Sequence, residues 1–121
     1  MTPSNRHRPE RLAALIQQVI ADALTTRVKD PRVGFVTVTD VTVPPDVQHA
    51  VVRVSVLGGE DEKRRALEGL ESARGFLRSH LAQQLTLRVA PELRFELDRG
   101  IEHARRIDEI LDQLKHDESG S

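Results

Sequence analysis

The sequence contains no cysteine, no tryptophan and no tyrosine. Without thiols there is no disulfide framework, no thiol nucleophile, no cysteine-ligated zinc and no iron-sulfur cluster, and the composition suits a reducing compartment. Three Phe are the only aromatics in 121 residues. Nucleic-acid modules of the RRM, OB and cold-shock types stack bases on aromatic side chains, so those folds are disfavoured, and any RNA contact has to rest on charge and backbone. Long apolar runs are missing too. Nothing approaches the roughly 18 residues of a membrane span, and "MTPSNRHRPER" lacks the apolar stretch of a signal peptide, so a cytoplasmic protein with no membrane partner is expected.

Catalytic signatures are equally scarce. His7, His49, His80, His103 and His116 are scattered without metal-ligand spacing, and no P-loop or Gly-x-Ser-x-Gly run occurs. Glu60, Asp61 and Glu62 form the densest acidic cluster, but they precede a helix whose positive end already accounts for them. The expectation is therefore no enzyme, no metal, no cofactor and no small-molecule substrate.

What is present is enough chain for one domain with a core. A net charge of -1 conceals blocks: residues 1–34 carry +3, 35–62 carry -4, 63–94 carry +4 and 95–121 carry -4. Chance clustering on solvated faces is one reading of these blocks, and basic surfaces facing a polyanion is the other.

Leu12, Leu15, Ile16, Val19, Ile20, Ala23 and Leu24 follow the spacing of an amphipathic helix behind Pro9, and Asp30-Pro31 stops it. "GFVTVTDVTV" (34–43) has strand composition, but Val36 and Val38 are out of phase with Val41 and Val43, which suggests a bulge near Thr39 and Asp40. "HAVVRVSVL" (49–57) alternates with Ala50, Val52, Val54 and Val56 on one face, so "PPD" (44–46) joins an antiparallel hairpin. Leu67, Leu70, Ala73, Leu77, Leu81 and Leu85 keep helical spacing. Leu93, Phe95 and Leu97 alternate as a third strand, and Ala104, Ile107, Ile110, Leu111 and Leu114 read as a last helix before a polar tail. The order is α-β-β-(interrupted helix)-β-α, with helices covering one face of a three-stranded sheet. One domain is expected over 9–114, between a flexible basic arm at 1–8 and a disordered tail at 115–121.

The interruption is expected at Gly75, because mid-helix Gly costs about 1 kcal/mol relative to Ala. A helix from Asp61 to Leu85 would also be about as long as the whole domain is wide. A bend at Ala73-Arg74-Gly75 would let both halves pack, would let another backbone approach, and would open amide groups that attract phosphate. Close helix-sheet packing at Gly75 is the competing explanation.

"VKDPRVG" (28–34), "VTVTDV" (36–41), "VSVLG" (54–58), "GFLRSHLAQQLTLRVAPELRFELD" (75–98) and "RIDEIL" (106–111) occur in order and at fitting separations. Together they make the chain resemble bacterial ribosome-binding factor A over nearly its whole length. The resemblance implies an α+β, type II KH-like fold of order α-β-β-α-(kink)-α-β with an added C-terminal helix. In that fold an Ala-x-Gly kink, here Ala73-Arg74-Gly75, replaces the usual Gly-x-x-Gly loop. It further implies a non-catalytic factor that binds the small ribosomal subunit and its ribosomal RNA, acts late in assembly and in maturation of the RNA 5′ end, and is associated with growth in the cold. Gly100 and Ala104 depart from the Ser and Gly usual after the third strand.

Candidate phosphate contacts are Lys63, Arg64, Arg65, Arg74 and Arg78 along the helix, with Ala73 and Gly75 at the point of close approach. Arg6, Arg8 and Arg11 form a basic arm, and Lys29 and Arg32 surround Asp30-Pro31, where Asp30 is alternatively a turn residue paired with Arg32. A monomer is expected; a homodimer or protein-interaction module built on the C-terminal helix is the alternative.

Overall fold

The computed structural model describes residues 9–100. The expected N-terminal arm, the C-terminal helix with Ala104 to Leu114, and the tail lie outside the described residues, as do Arg6 and Arg8.

Pro9 opens α1 (Pro9–Thr26), a position that suits a residue with fixed φ and no N–H to donate. Its buried stripe is Leu12, Ile16, Ile20, Ala23 and Leu24. Leu15, expected in that stripe, is 40% exposed, because the stripe follows a four-residue rhythm that leaves Leu15 on its edge. After the helix, Asp30 caps a single 3-10 turn (Pro31–Val33) and accepts the Arg32 amide at 2.9 Å.

Strand β1 (Val36–Thr42) pairs antiparallel with β2 (His49–Val56), and the register shifts between Val38 and Asp40. This is the bulge that the phase change of the valines requires: the extra residue lets Val38 and Val41 both face the core. In β2, Ala50, Val52 and Val54 are fully buried while Ser55 faces solvent. Strand β3 (Glu92–Leu97) pairs parallel with β2, giving the order β1-β2-β3. Parallel neighbours need a long crossover, which α2 (Glu60–Gln84) supplies.

The fold is the expected α+β arrangement, with the helical layer on the face from which Ala50, Val52, Val54, Leu93 and Phe95 project. From α2, Ala66, Gly69, Leu70, Leu77 and Leu81 are buried, and Leu67, Ala73 and, just past its end, Leu85 are partly so. Gly58, at φ 130°, makes the turn into α2, and Glu62 reaches back to the Gly59 amide at 2.9 Å. At the far end the Leu87 amide bonds to the Ala82 carbonyl at 2.9 Å, with Thr86 in the left-handed region at φ 53°, a Schellman ending without its customary glycine.

The helix is not interrupted. It runs through Ala73-Arg74-Gly75 as one element of 25 residues, so no second helix start opens there and no row of free amides faces outward. One glycine costs only about 1 kcal/mol, whereas a break would leave several backbone groups to be satisfied elsewhere.

Candidate nucleic-acid interface

The loop after α1 is fastened to α2 by Arg32. Its guanidinium meets both oxygens of Asp30, the shortest contact being Nη2 to Oδ2 at 2.6 Å, and Nη2 lies 3.3 Å from the Ser72 hydroxyl. The hydrogen bond from Arg32 holds the Asp30 carboxyl below the ordinary carboxylate range, with Arg65 adding a smaller pull in the same direction. The local pairing considered for Asp30 is therefore made, and Arg32 is largely neutralised by it.

Close contact of this loop with the helix depends on Gly69. A Cβ there would stand 2.9 Å from Val33 Cγ1, closer than real Cβ atoms come, and 3.0 Å from Arg32 Cβ, which is also tight, so the loop would have to shift. Gly75 is different: a Cβ would meet nothing within 4 Å, and the residue is exposed. The packing explanation offered for Gly75 thus belongs to Gly69. Arg64 precedes Gly75 by three helical turns and shares its outward face, with exposed Ser72 and Ser79 nearby on the same helix.

The basic block on α2 is interleaved with acids. Arg64 lies 3.6 Å from Asp61 and Arg74 lies 3.4 Å from Glu71, each one helical turn apart on the surface. Arg78 donates from Nε and Nη2 to the Ala90 carbonyl at 3.2 and 2.9 Å, so it clamps the approach to β3. Lys63 also has an interaction partner. Of the predicted cations, Arg11, Lys29 and Arg65 make no side-chain ion pair or hydrogen bond among the described residues, and Arg65 is exposed beside the Arg32–Asp30 pair. Ala73 is partly buried against the core. The structure therefore gathers Arg32, Arg65, Ser72 and Gly75 along one exposed flank, leaves Arg11 on α1, and ties Arg78 to the Ala90 carbonyl.

Four exposed apolar groups, Val89 among them, were not singled out from sequence. Phe35 and Leu57 are 69% and 74% exposed, and their backbones pair at 3.3 Å beyond the end of the hairpin. Phe76, beside Gly75, stacks on His80 with ring centroids 5.7 Å apart. Signals for them existed: Phe35 has the opposite parity to the inward Val36 and Val38, and Phe76 and His80 have the four-residue spacing of helix neighbours.

The open face of the sheet has another character. Arg53 lies 3.1 Å from Asp40 and 3.9 Å from Glu96, bridging three strands. The Thr39 hydroxyl, at the bulge, stands 2.6 Å from Asp98 Oδ2 and keeps that carboxyl below its usual range, helped by the Gly100 amide. Acids outnumber the cation in this cluster, so a polyphosphate finds less attraction here than along α2. Among the described residues no group of three His, Cys, Asp or Glu is placed to hold a metal ion, and no helix is long and apolar enough to cross a membrane.

Comparison with solved structures sets this arrangement among known proteins. A Thermotoga maritima protein assigned as a ribosome-binding factor A is 40% identical, with 84% of this chain and 95% of that one covered and a TM-score of 0.69. The crystal structure of ribosome-binding factor A from Thermus thermophilus is 27% identical, with 77% and 98% covered and a TM-score of 0.68. A further Thermus thermophilus structure, a homology model of that factor fitted into the cryo-EM map of its 30S complex, is 28% identical, with 71% and 90% covered and a TM-score of 0.60. Residues 8–111 match the family model described as ribosome-binding factor A, and the chain belongs to that family.

Proposed function

We propose that this protein is a non-catalytic assembly factor of the cytoplasm that docks as a monomer on the small ribosomal subunit and contacts its ribosomal RNA. On this reading it acts in late maturation, including processing of the RNA 5′ end, and supports growth in the cold. The observation that carries the reading is Gly75. An exposed mid-helix glycine with open space around it weakens α2 and gives the fold nothing in return, so its use lies in something that comes close from outside. The Thermus relative in its 30S complex supports the same direction.

The interleaved charges shape how docking works. A bare cationic face would attract any polyanion, whereas Arg64 and Arg74, held by neighbouring acids, must exchange those partners for phosphates, which favours a surface that fits over one that is merely negative. Arg65, with no such partner, makes the first contact. Binding weakens steeply with salt as counterions are released.

Co-sedimentation with purified small subunits at stepped salt tests this. Arg64→Glu with Arg65→Glu changes two exposed side chains on the Gly75 side of α2 that fasten no other element, so circular dichroism stays native. Binding is expected to fall about tenfold or more, with a shallower salt dependence. Parental binding by that double variant removes this flank from the docking surface. Size-exclusion chromatography separates the monomer from a dimerisation module.

A further inference from the structure

Pro31, Phe35, Val56 and Leu57 line a recess of about 160 Å³ at the end of the hairpin, with Glu62 and Arg65 of α2 also facing it. The volume is below the several hundred Å³ usual for a small-molecule or cofactor site, so it takes one ring or one side chain. Its apolar walls stand in water: Phe35 and Leu57 are more exposed than any other large apolar residues described except Val89. With only three aromatics in the chain, placing one here at 69% exposure is a cost in solubility that the core does not require.

Against the expectation that RNA contacts rest on charge and backbone alone, we propose that this recess is a slot for one unpaired nucleobase of a single-stranded RNA segment, stacked on Phe35 against Leu57, with Arg65 holding the adjoining phosphate. The proposal rests on the RNA-docking reading above and adds a ligand class and a second contact point to it. Three features favour a base over an apolar side chain of a protein. The exposed wall is an aromatic ring, which offers a π-face to any base. The neighbouring cation has no ion pair among the described residues and so is available to a phosphate. Glu62, whose Oε2 accepts the Gly59 amide at 2.9 Å, repels phosphate, which directs the backbone to Arg65 and leaves the base edge to Glu62. A strand leaving the slot past Arg32 and Ser72 runs along α2 towards Gly75 and the Phe76–His80 stack.

The test uses the full chain and a fluorescein-labelled, mixed-sequence single-stranded RNA of eight nucleotides, read by anisotropy. Phe35→Leu keeps the apolar bulk but loses the ring, and it should weaken binding about fivefold to a hundredfold. Phe35→Tyr keeps the ring and should bind like the parent. Phe35→Trp installs the only tryptophan of the chain, whose emission should be quenched on adding the RNA. Val89→Ser, equally exposed but outside the recess, should change nothing. Thermal midpoints confirm that each variant folds. The proposal is overturned if the parent does not bind the oligonucleotide, if Phe35→Leu binds it like the parent, or if the tryptophan is not quenched. If Phe35→Leu also retains small-subunit binding while Phe35→Asp loses it, the recess takes a protein side chain and the base slot is wrong. Arg65 serves both sites, so the docking reading is judged separately by co-sedimentation of Arg64→Glu with Gly75→Gln, both outside the recess.

Discussion

Gly69 and Gly75 lie on the same helix, six positions apart, and do opposite things. Around Gly69 the helix is pressed against the Pro31–Val33 turn so closely that an added Cβ would force the turn to shift, and Leu70 and Ala66 beside it are fully buried. Around Gly75 the helix surface is open. One glycine is explained by the inside of the molecule and the other is not, and the docking proposal rests on that contrast.

Substitution should separate the two sharply. Gly69→Val forces a side chain into Val33 and Arg32 and is expected to cost about 1–3 kcal/mol in urea unfolding, or more if the loop detaches. Arg78→Ala leaves the Ala90 carbonyl without its guanidinium and is expected to cost about 1–2 kcal/mol, with faster hydrogen exchange over 85–91; Arg74→Ala, removing a surface pair, should cost under about 0.5 kcal/mol. Gly75→Ala should do the reverse of the Gly69 change and stabilise the protein by about 0.5–1 kcal/mol. If both glycines resist replacement equally, the distinction between them is lost.

The smallest expected effect is a titration. Because the Arg32 hydrogen bond lowers the Asp30 pKa, the folded state binds that proton less readily than the unfolded chain. The resulting stabilisation is fully present above the ordinary carboxylate pKa near 4 and is lost as pH falls through the lower folded value. Glu60, bonded to Arg99, and Asp98 contribute with the same sign. Asp30→Asn should therefore reduce, without abolishing, the fall in thermal midpoint on acidification from about pH 5 to pH 2.

Much of the architecture was legible because period and chemistry agreed locally. The valines of 36–43 announce their bulge by changing phase, and Leu93, Phe95 and Leu97 alternate as they are buried. Leu15 shows the limit: helical spacing identifies a stripe but not its width, which the neighbouring sheet decides. The expected helix break fails for a related reason. A glycine within a helical pattern states a cost but not whether a loop packs there, bends the helix or leaves it bare. That answer comes from Val33, 36 residues before Gly69, a distance that no local pattern spans. The cations were legible as a set and not as individuals. Nothing at position 78 says that its guanidinium will reach Ala90, and the pairing of Arg64 and Arg74 needed the acids one turn away to be weighed beside them.

Gly75→Gln puts the central claim at most direct risk, because glutamine is a good helix former and carries no charge. Its thermal midpoint should rise, since a Cβ there meets nothing within 4 Å and glutamine favours the helix, while co-sedimentation with small subunits should fall about tenfold or more as the close approach is blocked. A raised midpoint with undiminished binding would contradict the claim that Gly75 is kept for a partner.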